Sequence, residues 1–242
     1  MIRRFISLLP RQLFVLSVLA LFGTLAVQGQ TVIINTPSTD VIPEKKVYVE
    51  MDFLTHIDSY QNGGYQTYLP RVMYGLTKGV EIGFNVSATK ALTPNQPVEI
   101  QPNIKWQFYS NEKHGIALSG GAQGFFTVAN RTGADNFGMV YTNASKKISG
   151  TYGPRISGGG YRLIARADGT GSKGGGMVGF EQPLHKKVTW VSDWFSGKNR
   201  FGYVSSGFSI VPNSKTAIGV SYIVGNQGKA NNGLFSWVGY TF

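Results

Sequence analysis

The chain has 242 residues, and its 23 lysines and arginines outnumber its 12 acidic residues, which gives a formal charge of +11. Only 14% of the residues are charged, against roughly 25% in ordinary soluble domains, so a surface that faces water alone is not expected; the 42% hydrophobic content excludes a disordered chain. The absence of cysteine excludes disulfides, thiolate metal sites and cysteine nucleophiles.

Residues 1–29 have the pattern of a secretory signal peptide. Three arginines accompany an uncharged apolar run at 13–25, and the small residues at 26–29 suit cleavage after Ala26 or Gly29. The alternative, a transmembrane helix, is disfavoured because an apolar run of 13 residues is short for a span of about 20. Cleavage after Gly29 would leave 213 residues with a charge of +8, because three arginines and no acidic residue are removed.

The segment 30–45 contains Pro37, Pro43 and several polar residues. It is predicted to be a short periplasmic lead-in to the domain that follows. The alternative is that it lies in the mouth of that domain. A long amino-terminal plug is not expected.

From Val47 to Phe242 the sequence alternates between apolar and polar residues in short runs separated by turn residues. The run 80–87, Val-Glu-Ile-Gly-Phe-Asn-Val-Ser, is the clearest example, and this period of two predicts β-strands. Twelve runs are predicted as strands: 46–57, 65–77, 80–91, 99–109, 116–128, 137–147, 151–164, 175–184, 187–196, 201–211, 216–225 and 233–242. No second apolar run is long enough for a membrane helix, so a membrane span would consist of strands. The predicted fold of 46–242 is all-β, a closed antiparallel transmembrane β-barrel of about 12 strands.

The connections between these runs alternate in length. Those after even-numbered runs are tight and polar, as at 77–79 and 185–187, whereas those after odd-numbered runs are mostly longer and rich in Gly, Asn and Pro. The stretch from Ser196 to Arg200 is a short exception. Short turns at one end and long loops at the other are typical of outer-membrane barrels, which keep the turns in the periplasm and the loops outside the cell.

The last run ends the chain on an aromatic residue, with Val238, Tyr240 and Phe242 on one face. This pattern resembles the insertion signal that the bacterial barrel-assembly machinery reads. The strand would also have to pair with the first one, because an unpaired edge leaves backbone groups unsatisfied in lipid. The alternative is an aromatic residue that merely ends a soluble edge strand. Together with the signal peptide, the pattern predicts a location in the bacterial outer membrane.

A soluble β-sandwich of about this size would alternate as well. Its polar face would carry many charges, whereas here most lysines lie in the connections and the runs hold few charged residues. Aromatic residues also cluster toward the ends of runs, as at 106–109, 125–126, 190–195 and 240–242, which suits interfacial girdles. These two features favour the membrane barrel.

The stretch 69–83, Leu-Pro-Arg-Val-Met-Tyr-Gly-Leu-Thr-Lys-Gly-Val-Glu-Ile-Gly, resembles a hairpin of the outer-membrane channel family named for the meta-pathway of phenol degradation. A second similar feature is 192–199, Ser-Asp-Trp-Phe-Ser-Gly-Lys-Asn. The resemblance implies a porin-like outer-membrane barrel that passes small, often hydrophobic or aromatic, compounds. It supplies no ligand-binding residues beyond the hairpin.

Charged and polar residues on the less apolar face of the strands are candidates for the lining of the lumen, because a charge on the lipid face at mid-bilayer depth costs about 2–4 kcal/mol for Arg or Lys. The candidates are Glu50, Asp52, Arg71, Glu81, Asn85, Lys105, Glu181 and Asp193. They form either an ion-paired network that fills a narrow barrel or a selectivity lining that recognises solute. Twelve strands lie between the filled barrels of 8 and the open ones of 16, so both alternatives stand.

No motif in the sequence indicates an enzyme, a cofactor, a metal site or nucleic-acid binding. The chain lacks Gly-x-Ser-x-Gly and His-Glu-x-x-His, and its glycine-rich stretches 157–160 and 173–176 lack the Gly-Lys-Ser/Thr ending of a phosphate loop. The predicted partners are outer-membrane lipid, lipopolysaccharide, the barrel-assembly machinery and a small-molecule solute. The predicted function is passive passage of small, hydrophobic or aromatic solutes; the alternatives are a structural or assembly barrel with a filled lumen and, third, a membrane-embedded hydrolase.

Overall fold

The computed structural model describes residues 31–93, 95–130, 136–164 and 171–242. The predicted signal peptide, 1–29, lies outside the described residues. Within the described ranges, no helix has the length and hydropathy needed to cross a membrane.

Twelve strands make up most of the described chain. They are β1 (Val47–His56), β2 (Tyr65–Thr77), β3 (Val80–Lys90), β4 (Val98–Asn111), β5 (Ile116–Ala129), β6 (Phe137–Lys147), β7 (Arg155–Ile164), β8 (Gly174–His185), β9 (Val188–Phe195), β10 (Tyr203–Asn213), β11 (Thr216–Gly225) and β12 (Gly233–Thr241). Each strand pairs antiparallel with its neighbours in the chain, and β12 pairs with β1. The predicted closed twelve-stranded antiparallel barrel is therefore confirmed.

The closure between β1 and β12 satisfies the backbone of the last strand. Met51 is opposite Val238 and Asp52 is opposite Trp237, and the Phe242 N–H donates to the Val47 carbonyl oxygen at 2.9 Å. The closed sheet has no free edge at this seam, which lipid would penalise because it offers no hydrogen-bonding partner. The structure places the side chains of the predicted insertion signal, Val238, Tyr240 and Phe242, on the outer surface.

The outer surface of the barrel is apolar, and the alternation along each strand explains why. In β11 the exposed side chains are Ile218, Val220, Tyr222 and Val224. The intervening side chains Ala217, Ser221 and Ile223 are buried. An apolar face turned outward around a closed sheet is the arrangement of a barrel in lipid, so the soluble-sandwich alternative is wrong.

The same alternation corrects two of the predicted girdle residues. Phe126 and Trp194 face outward, but their neighbours Phe125 and Phe195 are 1% exposed and belong to a cluster inside the barrel. Successive side chains of a regular strand point to opposite faces, so Phe125 and Phe195 cannot join their outward-facing neighbours in an interfacial girdle.

The two ends of the barrel differ in their connections. The short turns 78–79, 112–115, 186–187 and 214–215 lie at one end, here named the turn end, where β1 begins and β12 ends. The connection 148–154 also lies there, but it has seven residues and is not the tight turn predicted at 148–150. The opposite end, here named the loop end, carries the other six connections, each of seven to nine residues. The connection 196–202 is as long as most of these and is not a short exception. β7 begins at Arg155 rather than at 151, because the chain turns at Gly150, whose carbonyl oxygen accepts from the Gly153 N–H at 3.1 Å, and Pro154 has no N–H to donate.

The residues before β1 fold back inside the barrel. We name residues 31–43 the inner segment; Ile33 N–H donates to the Thr36 carbonyl oxygen at 2.8 Å and Ser38 N–H to the Thr31 carbonyl oxygen at 2.9 Å, which makes a small hairpin. Its side chains Ile33, Thr36, Ser38, Thr39 and Ile42 are 1% exposed or less. The sequence left open whether this stretch is a lead-in or lies in the mouth of the barrel; the structure places it in the lumen.

Candidate functional site

All eight lumen candidates lie on strands with their side chains toward the interior. Glu50, Asp52, Glu81, Asn85, Lys105 and Asp193 are buried, and Arg71 and Glu181 are partly buried. They do not form one site. They divide into groups that pair with one another across the ladder or bind the inner segment.

The first group lies on β1 and β2. Tyr48, Glu50 and Asp52 share one face of β1 because they are two residues apart, and Arg71 is directly opposite Glu50 on β2. Arg71 Nε lies 2.7 Å from Asp52 Oδ2, and Arg71 Nη1 lies 3.5 Å from Glu50 Oε1. The Tyr48 hydroxyl donates to Glu50 Oε2 at 2.5 Å. One arginine thus neutralises part of the charge of two buried carboxylates.

The second group joins β3 and β4 to the inner segment. Glu81 is opposite Lys105, with Nζ 3.2 Å from Oε1. Lys105 Nζ also donates to the carbonyl oxygens of Thr31 at 2.7 Å and Asp40 at 2.6 Å. Glu81 Oε2 accepts from the Ile42 N–H at 2.7 Å. The buried ion pair therefore holds both ends of the inner segment.

The third group is centred on Asp193 of β9. Its Oδ2 accepts from three consecutive backbone N–H groups of the inner segment: Ile34 at 3.0 Å, Asn35 at 2.6 Å and Thr36 at 2.7 Å. Successive N–H groups aimed at one oxygen form a concave anion site of the kind that proteins use for carboxylates and phosphates. Hydrogen bonds to a charged acceptor are roughly twice as strong as neutral ones, so this contact anchors the tip of the segment.

The last two candidates lie apart from each other. Asn85 lies beside Asn103 and Gln101. Asn103 Nδ2 donates to Asn85 Oδ1 at 3.4 Å, and Asn85 Nδ2 donates to Gln101 Oε1 at 3.5 Å. Glu181 is opposite Arg155 in the β7–β8 ladder, and Arg155 Nη2 donates to Glu181 Oε1 at 2.8 Å. Arg155 also pairs with Asp40 of the inner segment. Arg155 was not among the predicted residues, although it lies within the predicted strand 151–164.

Packing and polar contacts from several further strands hold the inner segment. Asn143 of β6 donates to the Pro37 carbonyl oxygen, Gln107 of β4 donates to the Thr39 carbonyl oxygen, and Asn35 donates to Ser205 of β10. Ile33 packs over Gly179 of β8 so closely that a Cβ added there would lie 2.2 Å from Ile33 Cδ1. Contacts with strands all round the barrel are compatible only with a segment inside it, so the segment occupies the lumen at this level.

A cavity of about 200 Å³ lies in the lumen beside the inner segment. Its polar part includes Asp52, Asn85 and Gln123, and its apolar part includes Phe125, Phe195 and Phe235. The cavity is large enough for a single small organic molecule and combines aromatic surface with a few polar groups, which is the usual composition of a ligand pocket.

An ion pair that the sequence did not predict lies at the loop end of this cavity. Arg200, in the connection 196–202, donates from Nη1 to Glu99 Oε1 at 2.6 Å and from Nη2 to Glu99 Oε2 at 2.9 Å. Glu99 lies on β4 and Arg200 between β9 and β10, so the pair joins distant parts of the barrel wall. Glu99 could have been noticed as a charge in a predicted strand. The position of Arg200 depends on how a loop folds over the barrel, which no period in the sequence indicates.

The histidine and acidic side chains of the described ranges are the groups that could bind a metal ion or act as a catalytic base. No group of three or more His, Asp or Glu side chains in the described ranges is arranged to hold a metal ion. His56 contacts the Asn232 carbonyl oxygen through Nδ1 and stacks on Tyr65. A hydrolytic site needs a nucleophile in contact with its base, and neither of these contacts supplies one.

Comparison with known proteins places the fold. No family model matches the sequence, and no curated protein matches it. Among solved structures, an outer-membrane channel from Pseudomonas putida F1 is similar with a TM-score of 0.52 at 11% identity, covering 84% of this chain and 97% of that one.

Two further structures are less similar. The toluene transporter TbuX of Ralstonia pickettii has a TM-score of 0.45 at 7% identity, with 83% of this chain and 90% of that one covered. Outer-membrane phospholipase A of Escherichia coli has a TM-score of 0.47 at 8% identity, with 84% and 94% covered. At such identities the likeness concerns the fold. The closed barrel with its apolar exterior has the fold of a bacterial outer-membrane protein. This fold confirms the predicted location in the bacterial outer membrane.

Proposed function

We propose that this barrel is an outer-membrane channel for passive passage of small, hydrophobic or aromatic solutes. The observation that carries the proposal is the cavity of about 200 Å³ in the lumen, where aromatic side chains from β5, β9 and β12 meet polar side chains from β1 and β3. Aromatic surface binds an apolar solute, and the polar groups keep the remainder of the lumen accessible to water. We also propose that the chain is related to the channel family named for the meta-pathway of phenol degradation, which its stretch 69–83 resembles.

In this proposal, the inner segment is the gate that closes the passage. It is attached to β1 by residues 44–46 and bound to the wall through main-chain hydrogen bonds and ion pairs, with apolar packing from Ile33 and Ile34. Release of the segment toward the turn end would join the cavity to the lumen below it. The proposal therefore describes a gated channel in its closed state.

The proposal also includes how the chain reaches the membrane. Residues 1–29 are its signal peptide, the barrel-assembly machinery recognises the terminal strand through Val238, Tyr240 and Phe242, and lipid and lipopolysaccharide surround the apolar exterior. The exposed aromatic pair Tyr240 and Phe242, with ring centroids 4.8 Å apart, supports this because it gives the last strand an apolar, accessible end.

Entry of indole into vesicles tests the channel. Vesicles with lipopolysaccharide in the outer leaflet slow unassisted entry, and entrapped iodide reports entry by quenching indole fluorescence. We expect the barrel to accelerate indole entry, and deletion of 31–43 to accelerate it further and to raise conductance in planar bilayers. Arabinose, followed by vesicle swelling, serves as the non-aromatic control. Indole entry equal to that of barrel-free vesicles, for the full chain and for the deletion, would overturn the proposal.

A structural barrel with a filled lumen is the second candidate. It is favoured by the number of strands that the inner segment contacts and by the pairing of the buried charges with one another. For this candidate, the full chain passes neither indole nor ions, and the deletion variant conducts ions without preference for indole.

A further inference from the structure

The guanidinium of Arg200 lies among three aromatic rings, two from strands of the barrel and one from its own loop. Its Cζ is 5.5 Å from the ring centre of Phe125, 5.7 Å from that of Phe137 and 5.6 Å from that of Phe201. Phe125 and Phe137, on β5 and β6, stack with centroids 4.6 Å apart and an interplanar angle of 12°. Phe201 packs on Phe125 at 5.2 Å. Aromatic rings attract a cation placed within about 6 Å of their faces, and because Phe125 and Phe137 are stacked, the guanidinium can lie over the face of only one of these two rings.

A carboxylate completes this group of rings. Glu99 accepts two hydrogen bonds from Arg200, at 2.6 Å and 2.9 Å, and its Oε2 accepts a third from Gln101 Nε2 at 3.0 Å. The side chain of Glu99 is 9% exposed. Gln101 and Glu99 share a face of β4, so the amide holds the carboxylate toward the lumen whether or not Arg200 is present. We name Glu99, Phe125, Phe137 and Phe201 the cation cage.

The cage and its occupant have different attachments. Glu99, Phe125 and Phe137 lie on strands of the closed sheet, whereas Arg200 reaches the cage from the loop 196–202 and its side chain is 41% exposed. Phe201 is on the loop, but it also packs near Phe195, at the end of β9, with centroids 6.0 Å apart. Most of the recognition surface therefore belongs to the closed sheet, and the cation within it comes from a loop and is partly exposed to solvent.

We infer that the cation cage is a binding site for small organic cations, such as guanidinium or alkylammonium compounds, and that Arg200 occupies it as an internal substitute for the ligand. Aromatic faces with one carboxylate recognise an organic cation, because the rings accept its diffuse charge and the carboxylate accepts its N–H groups. A lone carboxylate among rings does not suit a metal ion, which requires several oxygen ligands, and it repels an anion. The adjoining cavity, which Arg200 also lines, has room for the remainder of the ligand.

The inference goes beyond the proposed function and does not rest on it, because binding at the loop end can be measured whether or not a solute crosses the barrel. An entering cation displaces the Arg200 guanidinium and takes over its contacts with Glu99. In the absence of Arg200, the vacated carboxylate is nearly buried without a cationic partner, which is costly and favours an external cation.

The test is chemical replacement of the missing side chain in the folded full-length protein. We expect Arg200→Ala to bind guanidinium at least about 10-fold more tightly than the unchanged protein, by isothermal titration in detergent at constant ionic strength, with sodium as the comparison ion. Lys198→Ala removes an equal charge from an exposed position of the same loop and should bind like the unchanged protein. Arg200→Gln replaces Arg200→Ala where the alanine variant does not fold, as judged by heat-modifiable migration.

Two second changes identify the cage. In the Arg200→Ala background, Glu99→Gln should abolish the gain, and Phe125→Leu, which keeps an apolar side chain but removes the ring, should weaken guanidinium binding about 5- to 30-fold. Tetramethylammonium has no N–H group, so its binding should be weakened more by Phe125→Leu than by Glu99→Gln. A folded Arg200→Ala protein that binds guanidinium no more tightly than the unchanged protein, or equally with Glu99→Gln, would overturn the inference.

Discussion

Lys105 and Glu81 face each other on β4 and β3 with Lys105 Nζ 3.2 Å from Glu81 Oε1, and each also binds the main chain of the inner segment. Both side chains are nearly excluded from solvent. Each charge therefore depends on the other and on the segment for its compensation, which links the stability of the barrel to the closure of its lumen.

The first prediction concerns this pair. Lys105→Met leaves the Glu81 carboxylate buried without a cation, and we expect a loss of about 3–5 kcal/mol in the free energy of unfolding. The double variant Lys105→Met/Glu81→Gln should recover a large part of that loss, because no uncompensated charge remains. Urea unfolding in lipid vesicles, followed by tryptophan fluorescence, measures both. Losses that simply add would contradict the coupling.

The second prediction concerns the anion site at Asp193. Asp193→Asn keeps an oxygen acceptor but removes the charge that three backbone N–H groups share, and hydrogen bonds to charged groups are worth about 1.5–3 kcal/mol each. We expect amide hydrogen exchange at 34–36 to accelerate at least about 10-fold, with the strands unaffected. Asp58→Asn, at an exposed position of the loop end, is the matched control. Unchanged exchange at 34–36 would show that the carboxylate does not anchor the segment.

The third prediction uses the absence of cysteine from the chain. Thr39 Oγ1 and Ser145 Oγ are 2.7 Å apart, so Thr39→Cys/Ser145→Cys brings two sulfur atoms within bonding range. We expect an oxidant to link the inner segment to β6, and indole entry to fall to the level of barrel-free vesicles until a reductant is added. Thr39→Cys alone should not respond to the oxidant. Equal entry in the oxidised and reduced states would mean that solute does not require release of the segment.

The fourth prediction concerns the terminal aromatic residue. Phe242→Ala should reduce several-fold the fraction of protein that assembles as a barrel in the outer membrane. Phe208 also faces outward but lies on β10, and Phe208→Ala should assemble normally. The reason is that, in the proposed assembly route, the machinery recognises the terminal strand before that strand forms its seam with β1. Heat-modifiable migration of membrane fractions measures assembly. Equal losses for both variants would attribute the effect to lost apolar surface in general.

The period of two in the sequence predicted the barrel because one structural rule, alternation of faces, applies to every strand. The same rule predicted that Asp52 and Arg71 face the lumen, because a charged side chain in the middle of a strand is destabilising on the face that contacts lipid. The predicted girdle was wrong for Phe125, because the same alternation turns Phe125 inward and Phe126 outward.

The inner segment could not be predicted in the same way. Ile34 contacts Asp193 across 159 residues of sequence, and the contact uses the backbone N–H of Ile34, which every residue but proline has. The side chains of the segment therefore carry little information about its partner. Arg200 and Glu99, 101 residues apart, present a similar difficulty because a loop brings them together.

The short connection between the inner segment and β1 keeps the segment at a high local concentration beside the wall that binds it. Residues 44–46 tether the segment to the wall that binds it, with the Lys45 N–H donating to the Gly75 carbonyl oxygen at 2.8 Å. The segment is thus an intramolecular ligand, and short tethers give effective concentrations on the order of millimolar or above. A dilute solute cannot displace such a ligand by mass action. In the proposed channel, passage would therefore depend on how often the segment dissociates by itself, and the rate of uptake would saturate at that frequency.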